Sequence, residues 1–260
     1  MTTFLQATVE GLSLAAIYSL VAIGFVLIYK SMDVLSFAQP ALAVVGAGII
    51  SALAVDRGFP FLPSLFFAIL LTGILSSIVE RTFLRPMVGE PVFAVAVLTI
   101  GIDILLRTLL DSWIGVSPRY LGDPFPTYGT LGSFNIAGVN LKYLEISALI
   151  TAIILISILS IFFKRSKYGV AMRATSFDQE AALAQGINVG RLFGLVWFIA
   201  GILAAFSGFF MTGGFNTLSP LSFAKALRAL PAVVIGGLDS IPGAIVGLSL
   251  IHISEPTRPR

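Results

Sequence analysis

The sequence predicts an all-α polytopic membrane protein. Three observations lead to that class. Hydrophobic residues make up 57% of the chain and charged residues only 11%, whereas a soluble globular domain carries about 25% charged residues. Mean hydropathy is +0.99. The apolar residues also fall into stretches of the length a spanning helix needs, about 20 residues for ~30 Å of hydrocarbon.

Taken in order, the first stretch runs from Gly11 to Tyr29. It has no Lys or Arg before it and exceeds a signal h-region, so it is expected to stay in the mature protein. The second runs from Leu35 to Val55 and is interrupted by Pro40. The third spans Phe61 to Val79. The fourth spans Val92 to Ile114 and carries Asp103, Arg107 and Asp111. The fifth and sixth cover Leu144 to Phe163 and Leu192 to Gly213, and a seventh begins near Leu230. About seven membrane segments are therefore expected, some broken by Pro or Gly. Lys and Arg set the orientation. Lys30, Arg81, Arg85, Lys164, Arg165, Lys167, Arg173 and Arg191 fall on one side, and Arg57, Arg119 and Lys142 on the other. The first side is expected to be cytoplasmic, which puts the N-terminus outside. The outer loop, residues 115–143, is rich in Gly and Pro, and both a small hairpin and an irregular connector fit it.

Several function classes are poorly served. There is no cysteine, and His252 is the only histidine. Zinc sites, Cys/His pairs and Ser/His/Asp triads are therefore hard to build, and no metal or cofactor is expected. No GxxxxGK[ST] occurs, so the chain has no phosphate-binding loop of its own. A net charge of +3 spread over loops gives no sign of nucleic-acid binding.

Two segments carry candidate function. Leu35-Ser36-Phe37-Ala38 recurs as Leu221-Ser222-Phe223-Ala224, and each copy is followed by a proline, Pro40 or Pro231, and a small-residue stretch. The topology puts the copies on opposite sides, the arrangement of an inverted-topology repeat whose broken helices line a midplane pathway. Chance recurrence in an apolar alphabet is the alternative. Phe37 and Gln39 at the first break are candidate pathway residues. So are Asp103 and Arg107, which with Asp111 share one face of the fourth span. Intramembrane charges face the protein interior and pair. A structural ion pair is the more economical account of them, and a lining that offers both signs to a zwitterionic solute is the sharper one.

The second segment is cytoplasmic, residues 164–191. It is basic at its start and contains an amphipathic helix expected over Phe177 to Gln185. Ser176 is the expected N-cap, with Asp178 and Glu180 in the first turn and Gly186 at the end. Ala181, Ala182 and Ala184 give a small, close-packing surface. Glu180-Ala181-Ala182 followed by Gly186 resembles the EAA-xxx-G signature of ABC-transporter permeases. Phe37-Ala38, Glu80-Arg81 with Arg85-Pro86, Thr99-Ile100-Gly101, Gly186-Ile187-Asn188 and the run Gly236 to Ala244 narrow the likeness. They resemble the branched-chain amino acid ABC permeases, specifically the shorter of two paired permease subunits, over Met1 to Gly247.

That resemblance implies an import system in a prokaryotic inner membrane. A soluble binding protein would deliver the small-molecule solute. A second permease subunit would complete the pathway, and two ATP-binding subunits would dock on the coupling helix at Glu180, Ala181, Ala182 and Gly186. The chain itself would catalyse no chemistry. Urea and short-amide importers use similar permeases, and an ion-coupled secondary transporter is the alternative from another class. An intramembrane enzyme is poorly equipped without Cys or a second buried acid. Residues 1–247 read as one permease domain. Residues 248–260 turn polar abruptly, and Leu248 to Arg258 resembles a translated transposon-end sequencing adapter. That tail is expected to be an artefact that replaces further C-terminal helices.

Overall fold

The structure, a computed structural model, describes residues 2–121, 132–136, 139–213 and 217–237. Its helices are α1 (Thr2–Met32), α2 (Gln39–Ser51), α3 (Phe61–Val79), α4 (Val92–Ile114), α5 (Tyr143–Arg165), α6 (Lys167–Phe177), α7 (Gln179–Ala184), α8 (Val189–Thr212), α9 (Ser222–Leu227) and α10 (Ala229–Gly236). Among the described residues, six stretches are long and apolar enough to cross a bilayer: Thr8–Met32, Gln39–Asp56, Phe61–Met87, Val92–Ile114, Tyr143–Arg165 and Val189–Thr212. The expected seventh segment begins in α10, and its continuation lies outside the described residues, as does the tail.

The bundle is organised around α8, which packs on α1, α2 and α3. All of α2 is buried. A helix can be surrounded in this way only if its neighbours come close, and small residues on α8 allow it. A Cβ on Gly208 would fall 1.9 Å from the Ala43 carbonyl oxygen, and one on Gly46 would fall 2.7 Å from the Ala205 Cα. On the other side of α8, a Cβ on Gly201 would fall 2.8 Å from the Thr72 carbonyl oxygen of α3. By contrast, α3, α4 and α5 turn large apolar side chains outward, among them Leu62, Phe66, Phe93, Ile104, Ile153 and Ile161. Those faces suit lipid or a neighbouring membrane subunit.

Pro40 does not interrupt the second span. The chain runs non-helically up to Ala38 and the helix starts at Gln39, so Pro40 sits in the first turn. There its missing N–H costs nothing, because first-turn donors have no helical partner. The far end of α2 widens into a π-helical turn, Ala52–Asp56.

At the end expected to face outward, β1 (Ser133–Ile136) and β2 (Val139–Lys142) form an antiparallel hairpin, with Ser133 opposite Lys142. The hairpin alternative for the outer loop is the one found. It is tied to α1, because Gln6 Nε2 donates to the Asn140 carbonyl at 3.1 Å and Gln6 Oε1 accepts from the Asn140 N–H at 2.8 Å. Nearby, Arg119 pairs with Asp56 at 2.6 Å and exchanges backbone bonds with Leu218.

The α2–α8 seam predicts a specific sensitivity. Gly208→Val should destabilise the detergent-solubilised protein by ~1–3 kcal/mol or more through overpacking, read as a lower Tm. Gly11→Ala should leave Tm unchanged, because nothing lies within 4 Å of its Cβ position.

Candidate functional site

The segment expected to meet an ATPase, residues 164–191, holds two helices before α8 begins. α6 runs to Phe177, the chain extends at Asp178, and α7 begins at Gln179. The N-cap is therefore Asp178, not Ser176. The Asp178 Oδ1 accepts from the Ala181 N–H at 2.9 Å, while the Ser176 hydroxyl donates back to the Arg173 carbonyl within α6. The carboxylate caps better here because it also meets the positive end of the helix. Gly186 ends α7 as expected, at φ +81°, a region that favours glycine. Its N–H and that of Ile187 satisfy the Leu183 and Ala182 carbonyls. Asn188 then caps α8 through the Arg191 N–H at 3.0 Å.

Of the Glu-Ala-Ala motif, only Ala182 faces inward. It packs with Val189 and Phe193 of α8, with Met32 and Ile187 against them. Glu180, Ala181, Ala184 and Gly186 are exposed, and so are Phe177 and Leu183. Of the three alanines, Ala182 packs inward and Ala181 and Ala184 lie on the exposed face.

Below α7, the start of α8 is clamped to the end of α3. α3 widens into a π-helical turn over Glu80–Leu84. Arg85 is thereby aimed back at Glu80, donating through Nε at 3.1 Å and Nη2 at 2.9 Å. Nη2 also donates to the Gly190 carbonyl at 2.5 Å. The Glu80 side chain has no solvent exposure, so the bidentate fork is what allows a carboxylate to stay there. Gly190 and Gly194 leave room for the pair. A Cβ on Gly194 would lie 3.4 Å from Glu80 Oε2. Further along α8, Ser76 donates to the Trp197 carbonyl at 2.6 Å and Gln39 Nε2 to the Ala200 carbonyl at 3.0 Å.

The expected pathway residues separate into two places. Gln39 is completely buried at the crossing of α1, α2 and α8. Its amide occupies the space left by Gly24, where a Cβ would fall 1.9 Å from Nε2, and its Oε1 has no hydrogen-bond partner among the described residues. Asp103 and Arg107 lie on α4, and Phe37 reaches the same helix through its main chain. Thr99, Asp103 and Arg107 lie one turn apart on one face. The Phe37 N–H donates to the Thr99 hydroxyl at 3.0 Å. Arg107 pairs with Asp103 at 2.5 Å and lies 4.0 Å over the ring of Phe223. The two copies of Leu-Ser-Phe-Ala therefore reach the same face of α4 about 12 Å apart along its axis. Asp103 Oδ1 and Arg107 Nε are buried without a hydrogen-bond partner among the described residues. Arg107, Asp111, Phe223 and Val44 also line a small cleft at the hairpin end. Sequence reasoning missed the Glu80–Arg85 clamp and the role of Thr99, although both lay in quoted motifs. No group of three or more His, Cys, Asp or Glu among the described residues is placed to hold a metal ion.

Residues 7–258 match the profile of the branched-chain amino acid transport system, permease component, family. The chain belongs to this permease family. The high-affinity branched-chain amino acid transport system permease protein BraD of Pseudomonas aeruginosa is 27% identical over 97% of this chain and 85% of its own length. LivH of Escherichia coli K12, described in the same words, gives the same identity and coverage. The probable branched-chain amino acid transport permease protein LivH of Methanocaldococcus jannaschii is 26% identical over 93% of this chain and 78% of its own length. No solved structure matches the permease. Membership makes it a multi-pass membrane transport component rather than an enzyme.

The clamp predicts an order of damage. Arg85→Ala leaves the Glu80 carboxylate buried and unpaired, and should cost ~3 kcal/mol, seen as a large drop in Tm. Replacing both partners, with Glu80→Gln and Arg85→Gln together, should cost less than Arg85→Ala alone.

Proposed function

We propose that this permease is the membrane subunit of an ATP-driven ABC importer for branched-chain amino acids. It would form half of the translocation pathway in a prokaryotic inner membrane, with its N-terminus outside. A second permease subunit would supply the other half. Two ATP-binding subunits would engage the cytoplasmic side, and a soluble binding protein would deliver solute from outside. The observation that carries this reading is the construction of α7. One alanine seats it on α8, and Glu180, Ala181 and Leu183 are presented outward beside Phe177 at the end of α6. A surface of that kind, at the end where Lys30, Lys164, Arg165, Lys167 and Arg173 collect, suits an ATPase cleft. Family membership and the branched-chain amino acid relatives support the solute class.

The mechanism follows from the attachments. A displacement of α7 pushes Val189 and Phe193 and so moves α8. Because α8 is bound to α3 through Gly190 and Trp197 and to α2 through Ala200, these helices shift together. α4 is joined to the turn that leads into α2 through the Phe37–Thr99 bond and to α9 through the Arg107–Phe223 contact. A shift of α2 against α4 therefore changes the face that holds Thr99, Asp103 and Arg107. That face offers both charge signs beside aromatic and aliphatic side chains, which fits a zwitterion with an apolar side chain.

Two expectations test this. In proteoliposomes containing the whole transporter, uptake of labelled leucine should require ATP and be displaced by valine but not by urea. Gly186→Val, which strains the turn that aims α7, should reduce uptake ~10-fold while ATP hydrolysis by the assembled complex persists. Uptake without ATP, or uptake insensitive to Gly186→Val, would contradict the proposal. Arg107→Met should lower uptake while leaving the complex assembled, as judged by size-exclusion chromatography.

A further inference from the structure

A cleft opens between α1, α5, α6 and α8 at the end of the bundle that carries the basic loops. Leu27, Met172 and Val196 line its interior, Phe163 forms a wall, and Lys30 and Arg173 stand beside them. Leu27 and Val196 belong to stretches apolar enough to span a bilayer, and Lys30 stands in the last turn of α1, so the slot runs from a span toward a helix end that carries a cation. Among the described residues, no carboxylate pairs with Lys30 or Arg173, nor with the neighbouring Lys164, Arg165 and Lys167.

The corner that shapes the cleft is built rather than incidental. α5 stops at Arg165, and Ser166 caps α6 through the Gly169 N–H at 2.9 Å. A Cβ on Gly169 would fall 2.3 Å from the Phe163 carbonyl oxygen, so only glycine lets α6 fold back this tightly. The Arg173 guanidinium donates to that same carbonyl, one of the four at a helix end that lack a helical partner. One edge of the guanidinium is thus held in place and the remaining N–H groups are left for a ligand. The aromatic rings of Phe162 and Tyr168 stack alongside at 6.4 Å, with Tyr168 exposed, as interfacial aromatics are in membrane proteins.

Asp33 lines the adjoining cleft with Lys30 and Arg173, but it is not in the lining of the apolar slot and forms no ion pair with either cation. An apolar slot with two cations at its mouth asks for an amphiphile with a negative head. We propose that this cleft binds one anionic phospholipid. Its phosphate is held by Lys30 and Arg173, and part of an acyl chain lies against Leu27, Phe163 and Val196. A zwitterionic lipid brings its own cation to the same place and gains less. Each cation near a headgroup favours the anionic lipid by ~5-fold. The inference does not depend on the solute, the ATPase or the sidedness of the chain.

The test uses fluorescence in proteoliposomes. Phe163→Trp puts a reporter in the cleft wall, and Trp113→Phe removes the exposed tryptophan on α4. Vesicles of phosphatidylcholine are doped with acyl-brominated phosphatidylglycerol or with acyl-brominated phosphatidylcholine. The expected result is half-maximal quenching at a mole fraction at least ~10-fold lower for the brominated anionic lipid. Adding Lys30→Gln should shift that midpoint ~5-fold, and Lys30→Gln with Arg173→Gln should remove the preference. Lys164→Gln, outside the cleft, should leave it unchanged. Equal quenching by both lipids would overturn the proposal. So would a preference that survives loss of Lys30 and Arg173, or one that falls equally with Lys164→Gln, which is diffuse surface attraction. Full reversal by millimolar inorganic phosphate would show a phosphate site with no role for the acyl chain, and would also overturn it.

Discussion

Everything in this bundle depends on how closely α8 approaches its neighbours. Gly208 against Ala43, Gly46 against Ala205 and Gly201 against the Thr72 carbonyl bring backbones together with no side chain between them. In lipid there is no hydrophobic gain from hiding one leucine behind another, so helices associate through close packing and polar cross-links. The seam supplies the first, and it allows α2 to sit with every residue buried. Without it, Gln39 would not reach the Ala200 carbonyl, nor Ser76 the Trp197 carbonyl.

Those cross-links explain where polarity was placed. Ser76, Gln39 and Ser207 each donate to a main-chain carbonyl of a partner helix, Ser207 to Ile17 at 3.1 Å. The Glu80 carboxylate, the costliest group to bury, is held by Arg85, which also reaches the α8 backbone. A charge pair at this position couples two helix ends that sit directly below α7. The Asp103–Arg107 pair is different. It leaves Asp103 Oδ1 and Arg107 Nε without hydrogen-bond partners among the described residues, so that face of α4 retains hydrogen-bonding capacity that the clamp does not.

Much of the architecture was legible in the sequence, because hydrocarbon thickness leaves little freedom in span length. The limits of helices α3 and α4 followed from composition alone, while the third spanning stretch continues to Met87. Pro40 was misread, because an apolar run does not reveal where a helix begins inside it. The α6–α7 break was also hidden. Ser176 and Asp178 are both good caps, and only the fold decides that the carboxylate meets the Ala181 N–H. Glu80 and Arg85 are five residues apart, a spacing that does not share a face in an α-helix. The π-helical turn that brings them together leaves no plain mark in the sequence. Thr99 sat in a quoted motif, yet its hydrogen bond to Phe37 spans 62 residues. The burial of Gln39 against Gly24 joins different helices in the same way, beyond the reach of local pattern.

The central claim is that α7, α8 and α3 move as one body. The chain has no cysteine, so paired spin labels can be placed directly at Leu183→Cys on α7 and Leu71→Cys on α3, both exposed. Distances should be measured by pulsed electron paramagnetic resonance in the assembled transporter, with and without a non-hydrolysable ATP analogue. The account predicts superimposable distance distributions within one chain and, in the proposed pair of permease subunits, a shift between Leu71→Cys and its counterpart. A change within the chain of about one helical turn, ~5.4 Å, would contradict it, because α7 would then move without carrying α3.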